Sequence, residues 1–262
     1  MKLSIVSDEL KIPQVEAFSL IASWDLEYVE LRGLTGGRLP DGDADEVVTL
    51  VDQFGFTVTA LSPGVFKCRP EERELGEHID RLKRTMPLCT RFNTDVVIVF
   101  PVQNLGWDAS NPTDGNNEPI VVDALREAAA IADEAGVRIA IENEPGYTAV
   151  TARGLARLID AVGMDNVGAN WDAGNAYPYD PEIDEAVTIL GDRMFNVHVK
   201  DAWVRDGKRG FDAVGKGEID WARQIDALRS VGYDGAIVVE THCLPGVEKS
   251  KESTVALRNL ID

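Results

Sequence analysis

The feature that most constrains the fold is an alternation of short apolar runs with longer segments of helical character. It occurs eight times along the chain and is typical of parallel α/β architecture, in which a helix follows each strand. Several runs lack polar alternation, which indicates strands that are buried on both faces. The predicted strands are Leu3–Ser7, Tyr28–Leu31, Thr57–Leu61, Val96–Phe100, Arg138–Glu142, Val167–Trp171, Phe195–Val199 and Ala236–Glu240.

Helical segments fill most of the intervals between these strands. They are Asp43–Phe54, Glu71–Arg91, Asp123–Ala135, Thr151–Ala161, Pro181–Leu190, Trp221–Ser230 and Ser250–Leu260. Gly136 follows one of them as a candidate helix C-cap. Pro87 is expected to kink or shorten another, because proline donates no backbone hydrogen bond.

Eight strand–helix units in 262 residues predict a single (β/α)₈ TIM barrel over residues 1–262, since such barrels need about 250 residues. A doubly wound sheet has fewer strands and a glycine-rich turn after the first one, whereas here Ser7, Asp8 and Glu9 follow. The polar segment Gln103–Pro119 is predicted to be an inserted loop over the barrel mouth.

Metal-capable side chains end four consecutive predicted strands, the fifth to the eighth. They are Glu142, Asp172, His198 and Glu240. The active site of such a barrel lies at the C-terminal ends of its strands, so these side chains are expected to lie together. Three adjacent carboxylates repel one another unless a cation balances them, and this donor set suits Mn²⁺, Mg²⁺ or Co²⁺, with Zn²⁺ also compatible. The alternative is that each acid caps a helix or pairs with an arginine at the rim.

Charge and composition exclude several classes of partner. The net charge of −19, with no dense basic run, argues against binding to nucleic acid or anionic membranes. The sequence has no apolar run of about 18 residues, which argues against a membrane span, and its N-terminus lacks a signal-peptide pattern. The cysteines Cys68, Cys89 and Cys243 are odd in number and far apart, which fits a reducing compartment. We therefore expect a cytoplasmic protein.

Six segments of the chain carry a family resemblance: Ile139–Pro145, Asn170–Asn175, His198–Asp201, Val214–Trp221, Gly232–Gly235 and Val238–Thr241. In this order and spacing they resemble the xylose isomerase-like barrel superfamily, in particular its sugar phosphate isomerase/epimerase branch. The resemblance extends over essentially the whole chain. It implies one bound divalent ion, Mn²⁺ before the alternatives, held by the four strand-end residues.

The resemblance also implies that Glu142 and Glu240 are the catalytic acid/base pair. A proton would be removed next to a carbonyl, and the metal would stabilise the resulting enediolate. Return of the proton gives epimerisation or isomerisation, and loss of a β-substituent gives elimination. Many epimerases of this family have a histidine where this chain has Asn175, and asparagine cannot titrate. This departure keeps a lyase or dehydratase acting on a keto-sugar, keto-inositol or 3-keto-glycoside open as the alternative.

Further side chains are candidates for substrate contacts. They are Asn175, Lys200, His242 and Trp107. For Lys200 the competing interpretation is a rim salt bridge to Asp201 or Glu218. Glu30 and Arg32 end the second strand, where at least one is expected in an internal ion pair.

The expected partner is a small-molecule carbohydrate, without nucleic acid or membrane, and the resemblance allows a homodimer. An abasic-site endonuclease shares this barrel, but it relies on several histidines and a cationic face, whereas this chain has three histidines. A non-catalytic barrel that binds a sugar or a protein is the other rival, and the intact four-ligand set disfavours it.

Overall fold

In the computed structural model, which describes residues 1–110, 114–116, 118–180 and 182–262, eight parallel strands close into a barrel with helices around it. The strands are β1 (Lys2–Val6), β2 (Tyr28–Leu31), β3 (Gly33–Leu34), β4 (Gly37–Arg38), β5 (Thr57–Val65), β6 (Val96–Val99), β7 (Arg138–Glu142), β8 (Val167–Asp172), β9 (Met194–Val199), β10 (Asp201–Arg205), β11 (Lys208–Asp212) and β12 (Ala236–Val239). The barrel runs β1-β2-β5-β6-β7-β8-β9-β12 and closes between β12 and β1. The predicted (β/α)₈ barrel is therefore confirmed.

Nine α-helices are present in the part of the chain that the structure describes. They are α1 (Gln14–Ser23), α2 (Ala44–Phe54), α3 (Glu72–Arg91), α4 (Pro119–Glu134), α5 (Ala152–Val162), α6 (Ala173–Ala176), α7 (Ala186–Leu190), α8 (Trp221–Ser230) and α9 (Gly246–Ile261). The side chains of Asp43 and Thr151 accept hydrogen bonds from Glu46 N and Gly154 N, so they cap α2 and α5. Gly136 follows α4 with a φ of 66°, a left-handed conformation that glycine adopts without strain.

The strands are buried on both faces, as their continuous apolar sequences predict. All four residues of β6 are buried, and the main apolar core lies between the barrel and the helices. The barrel interior also holds polar side chains, including Ser4, Glu30, Asn170 and Asn196, each at most 1% exposed. These interior polar groups lie beneath the strand ends at which the predicted site is located.

Several elements differ from the sequence prediction. Helix α1 was not predicted, because no side chain caps it and no glycine ends it. Pro87 was expected to kink or shorten its helix, and it does not shorten it, since α3 continues past it to Arg91. Two hairpins, β3–β4 and β10–β11, were also missed; they extend from the C-terminal ends of β2 and β9.

Part of the predicted mouth loop, Gln103–Pro119, lies outside the described residues. Pro181, the first residue of the predicted helix Pro181–Leu190, also lies outside them. Where the structure describes this loop, Gln103 bridges to Tyr147, and Asp114 accepts hydrogen bonds from the backbone of residues 150 and 151. This part of the loop is therefore attached to the segment that follows β7. Among the described residues, no helix is long and apolar enough to cross a membrane.

Candidate metal centre

The four predicted ligands meet at the C-terminal end of the barrel. Glu142 and Asp172 end β7 and β8, His198 lies on β9, and Glu240 directly follows β12. The strands are neighbours, and the register pairs Asp172 with His198. All four side chains are buried, and one donor atom from each lies within 4.8 Å of the others. The structure thus brings together four residues that could hold a metal ion.

The ring of His198 is oriented towards this cluster. Its Nδ1 lies 3.3 Å from Glu240 Oε2 and 3.5 Å from Glu142 Oε2, and it has no hydrogen-bond partner among the described residues. Two ligands at about 2.0–2.1 Å from a tetrahedrally bound ion lie roughly 3.3 Å apart. The buried, unpartnered nitrogen and the spacing of its neighbours therefore fit a divalent ion.

The opposite ring nitrogen of His198 is held by a buried carboxylate. Nε2 lies 3.0 and 3.1 Å from the two oxygens of Glu30. Burial lowers the pKa of His198, but the carboxylates of Glu30, Glu142 and Glu240 outweigh it and raise that pKa well above its ordinary value. The site therefore strongly favours positive charge at its centre.

Glu142 is held by two asparagines. Its Oε1 accepts a hydrogen bond from Asn175 Nδ2, and its Oε2 accepts one from Asn170 Nδ2, both at 3.1 Å. Asn196 Nδ2 donates to Asn170 Oδ1 and to Glu30 Oε2. The side-chain amides of Asn170 and Asn196 therefore form a buried hydrogen-bonded chain between Glu142 and Glu30, the carboxylate that contacts His198 Nε2.

Glu240 lies between two cationic side chains. Lys200 Nζ is 2.6 Å from its Oε2, and Arg32 Nη1 is 2.8 Å from its Oε1. Burial raises the pKa of Glu240, but the positive charges of Lys200 and His198 hold it well below its ordinary value. Glu240 is therefore an ionised carboxylate inside the barrel.

Lys200, one of the predicted substrate contacts, lies inside the site at 1% exposure. Its Nζ is 2.5 Å from Asp172 Oδ2 and 2.6 Å from Glu240 Oε2. The competing interpretation, a rim salt bridge to Asp201 or Glu218, is wrong, because the side chain turns inward where the carboxylates are concentrated. Burial lowers the pKa of Lys200, but Asp172 and Glu240 raise it above its ordinary value, so it remains an ammonium.

The other predicted substrate contacts lie around this centre. Asn175 is buried, and its amide nitrogen is engaged by Glu142 and by the carbonyl of Asn143. His242 Nε2 is 3.2 Å from Glu240 Oε1, and Trp107 lies further out, edge-on to Tyr179 with ring centroids 5.4 Å apart. Because its side-chain nitrogen is engaged, Asn175 can contact a substrate only through its side-chain oxygen. The substrate contacts of Asn175, His242 and Trp107 remain predictions.

Aromatic side chains and the guanidinium of Arg209 pack together at the C-terminal end of the barrel. Arg209, on β11, lies over Phe211 at 4.6 Å and over Tyr179 at 5.5 Å, and it donates to the carbonyls of Tyr177 and Gly174. Phe211 is in turn edge-on to His242. The β10–β11 hairpin is thereby fastened to the short helix α6 that carries Asn175.

The carboxylate of Asp201 explains two of the segments on which the family resemblance rests. It accepts backbone hydrogen bonds from Ala202, Gly215, Gly217 and Ile219. A Cβ at position 217 would lie 2.3 Å from Asp201 Oδ1, so only glycine allows this approach. The His198–Asp201 and Val214–Trp221 segments are therefore joined through one buried acid.

A cavity of about 530 Å³ lies on the side of Arg32, and its described lining residues include none of the four metal-capable residues. Its lining includes Asp8, Arg32, Arg38 and residues of the β3–β4 hairpin, and Arg32 connects it to Glu240. This volume is in the range that small-molecule sites have.

Sequence reasoning did not assign a role to four residues of the site: Glu9, Asn143, Asn170 and Asn196. Asn170 and Asn196 lie two positions before Asp172 and His198, so strand alternation could have found them as inward-facing polar residues. Glu9 has no such signal, because it lies in a short 3₁₀ helix after β1 and meets its partners only in the fold. At least one of Glu30 and Arg32 was expected in an internal ion pair, and Arg32 forms one, with Asp8, Glu9 and Glu240.

Comparison with known proteins places this geometry in context. A family model described as xylose isomerase-like TIM barrel matches residues 18–260. An inosose isomerase from Bacillus velezensis is 26% identical over 226 residues, which is 82% of this chain and 78% of that protein. An uncharacterised protein from Methanocaldococcus jannaschii is 28% identical over 137 residues, and this match covers 49% of this chain and 45% of that protein.

Solved structures share the fold over nearly their whole length. The IolI protein with a bound zinc atom has a TM-score of 0.80 at 21% identity, covering 100% of this chain and 98% of that one. The probable 3-DHS dehydratase AsbF from Bacillus anthracis has a TM-score of 0.79 at 14% identity, with 99% of both chains covered. An L-ribulose 3-epimerase has a TM-score of 0.79 at 16% identity, covering 100% of this chain and 95% of that one.

Proposed function

Because the chain belongs to the xylose isomerase-like TIM barrel family, we propose that it is a divalent-metal-dependent isomerase or epimerase acting on a sugar or keto-sugar. In this proposal Glu142, Asp172, His198 and Glu240 hold the ion, with Mn²⁺ as the first choice. The reaction begins with removal of a proton from the carbon next to a carbonyl. The similarity to inosose isomerase supports a polyhydroxylated carbonyl substrate.

One observation carries the proposal. The carboxylates of Glu142 and Glu240 lie on either side of His198 Nδ1, at 3.5 and 3.3 Å. In each, one oxygen faces the ring nitrogen and the other is held by a neighbouring side chain, Asn175 for Glu142 and Arg32 for Glu240. Two oriented carboxylates at one centre can remove a proton from a carbon and return it to another position.

The charges of the site support the required protonation states. Burial raises the pKa of Glu142, but His198 outweighs it and lowers that pKa below its ordinary value. The pKa of Glu240 is lowered as well, so both groups can accept a proton at neutral pH. A bound divalent ion would polarise the substrate carbonyl and stabilise the negative charge that develops on its oxygen. The buried ammonium of Lys200 lies at the same centre and can donate a hydrogen bond to that charge.

A lyase or dehydratase acting on a keto-sugar, keto-inositol or 3-keto-glycoside is the second candidate. It is favoured by Asn175, which cannot donate a proton to the far face of the substrate and whose amide nitrogen is engaged by Glu142. Elimination of water can use one carboxylate, which takes the proton from carbon and passes it to the departing β-hydroxyl, and so it does not require a titrating group at position 175.

Solvent deuterium exchange tests both candidates. The protein is incubated in D₂O with ketoses, keto-inositols and 3-keto-glycosides in the presence of Mn²⁺, Mg²⁺ or Co²⁺. Deuterium gained at one carbon with an otherwise unchanged mass identifies an isomerase or epimerase, whereas loss of the mass of water identifies the lyase. No exchange with any substrate or metal would favour a non-catalytic barrel.

The assignment of the acid/base pair is tested by substitution. Glu142→Gln and Glu240→Gln should each reduce turnover by about 10²–10⁴-fold, the contribution of a positioned general base. The control is Glu127→Gln, an exposed position on α4 that should retain full activity. Normal turnover in either site variant contradicts the assignment.

A further inference from the structure

A second set of metal-capable groups lies on the outer side of Glu240, facing Arg32. It consists of Glu9, Glu240 and His242, whose donor atoms lie within 4.8 Å of one another. His242 Nε2 is 3.2 Å from Glu240 Oε1 and 3.5 Å from Glu9 Oε1. These spacings are close to the roughly 3.3 Å that separates two ligands of a tetrahedral zinc ion. By donor type and distance, this outer cluster has the composition of a cation site.

The guanidinium of Arg32 contacts the same three atoms. Its nitrogens lie 2.5 Å from Glu9 Oε1, 2.8 Å from Glu240 Oε1 and 3.3 Å from His242 Nε2. Arginine carries a fixed positive charge and only donors, so a cationic group of the chain itself lies among the three atoms of the outer cluster.

The cluster is held in place by bonds that do not involve Arg32. Glu9 Oε2 accepts the backbone N–H of His242 at 2.8 Å, and Glu9 is fully buried. The ring of His242 packs edge-on against Phe211, with centroids 5.9 Å apart. The donor atoms would therefore keep their arrangement if the side chain of Arg32 were shortened.

We propose that Arg32 is a built-in cation that occupies a second cation position of the active site. The centre is thereby restricted to one metal ion, and the outer oxygen of Glu240 is held while the inner oxygen faces His198. Arg32 is thus a positioning residue for Glu240. This inference goes beyond the proposed function, because it concerns how many ions bind and not which reaction follows.

Removal of the guanidinium charge is expected to create a second metal site. Without it, Glu9 loses its nearest positive charge and the outer oxygen of Glu240 loses its arginine partner, while Lys200 still pairs with the inner oxygen of Glu240. A divalent cation would relieve the uncompensated part of this buried negative charge. Arg32→Ala and Arg32→Gln should therefore bind one more equivalent of Zn²⁺ than the wild type. Arg32→Lys is the matched control, because it keeps a positive charge and should bind no additional ion.

The test is zinc stoichiometry per chain, measured by elemental analysis after equilibrium dialysis. The additional equivalent should disappear when His242→Ala is combined with Arg32→Ala, whereas the first equivalent should depend on His198. Because both ions would share Glu240, Mn²⁺-loaded Arg32→Ala should also show a spin-coupled electron paramagnetic resonance signal.

Two results would overturn the inference. One is a wild-type protein that already binds a His242-dependent equivalent, and the other is a neutral Arg32 variant that binds no more zinc than Arg32→Lys. If a neutral variant is unfolded as purified, recovery of the fold on addition of Zn²⁺ supports the inference, and failure to recover contradicts it. A wild type that binds no His198-dependent equivalent, with the Arg32 variants behaving as expected, would contradict only the proposed function. The two failures are therefore distinguishable.

Discussion

Glu30 holds His198 from inside the barrel, with both carboxylate oxygens within 3.1 Å of Nε2. With a metal ion bound, donation from Nε2–H to Glu30 would leave the lone pair of Nδ1 directed at the ion between Glu142 and Glu240. Carboxylate–histidine pairs of this kind orient metal ligands in proteins and raise their basicity. Glu30 is thus a supporting residue that belongs to the centre through its contact with the ring of His198.

Glu30→Gln should weaken divalent metal binding by about 10–100-fold. Glutamine has a similar shape but no charge, so the barrel should still fold while the ring of His198 loses its orienting carboxylate. The dissociation constant for Mn²⁺, measured by competition with a chelator, is the readout. Glu27→Gln, an exposed change one residue before β2, should leave that constant unaltered, and an equally unaltered constant in Glu30→Gln would exclude a role for Glu30.

Asn175→Ala should lower the free energy of unfolding by about 1–3 kcal/mol, since it leaves the buried Oε1 of Glu142 and the carbonyl of Asn143 without their shared donor. Urea unfolding measures the difference. Asn259→Ala, at an exposed position of α9, is the control and should be neutral or slightly stabilising because alanine favours helix. Equal stability of the two variants would mean that Asn175 does not hold Glu142.

Two glycines should respond to the same substitution with opposite signs. A Cβ at Gly174 would lie 2.3 Å from Lys200 Cγ and 2.6 Å from the backbone oxygen of Lys200, so Gly174→Ala forces the site apart and should cost about 1–3 kcal/mol. Gly76→Ala, in α3, has no atom within 4 Å of the new methyl and should gain about 0.5–1 kcal/mol. Thermal unfolding of both variants checks the signs, and stabilisation by Gly174→Ala would refute the close packing of Lys200.

The barrel and the four-residue centre could be predicted because both depend on local patterns. Apolar runs indicate buried strands, and barrel closure brings the residues at their ends together whatever the loops do. Glu142 and His198 were found in this way, from position along a strand alone.

What the sequence could not indicate are contacts between residues far apart in the chain. Glu9 and His242 are separated by more than two hundred positions, and nothing near either residue predicts that one accepts the backbone N–H of the other. Lys200 was expected to be either a substrate contact or a rim residue, because its spacing from His198 gives a direction but not a partner. Only the closed barrel shows that Asp172 and Glu240 lie within reach of its ammonium.

Asp201→Asn should loosen the loop that follows β11. The amide replaces one of two carboxylate oxygens, and therefore at least two of the four backbone N–H groups that Asp201 accepts lose a partner. We expect a loss of about 1–3 kcal/mol of stability and faster hydrogen exchange at Gly215 and Gly217. Asp206→Asn, at the exposed tip of the β10–β11 hairpin, should leave both unchanged. Slow exchange retained in Asp201→Asn would show that the loop is held by other contacts.

Divalent metal should stabilise the wild type but not a variant that lacks His198. An ion that binds only the folded protein adds about 2.7 kcal/mol at a free concentration of 100 times its dissociation constant, which raises the Tm. His198→Ala removes the only nitrogen ligand of the cluster, so its Tm should be nearly independent of added Mn²⁺. His78→Ala is the matched control: His78 accepts the backbone N–H of Phe66 through Nδ1, away from the four-residue cluster, so its Tm falls but the rise on addition of Mn²⁺ persists. An equal rise in His198→Ala would place the metal at another site.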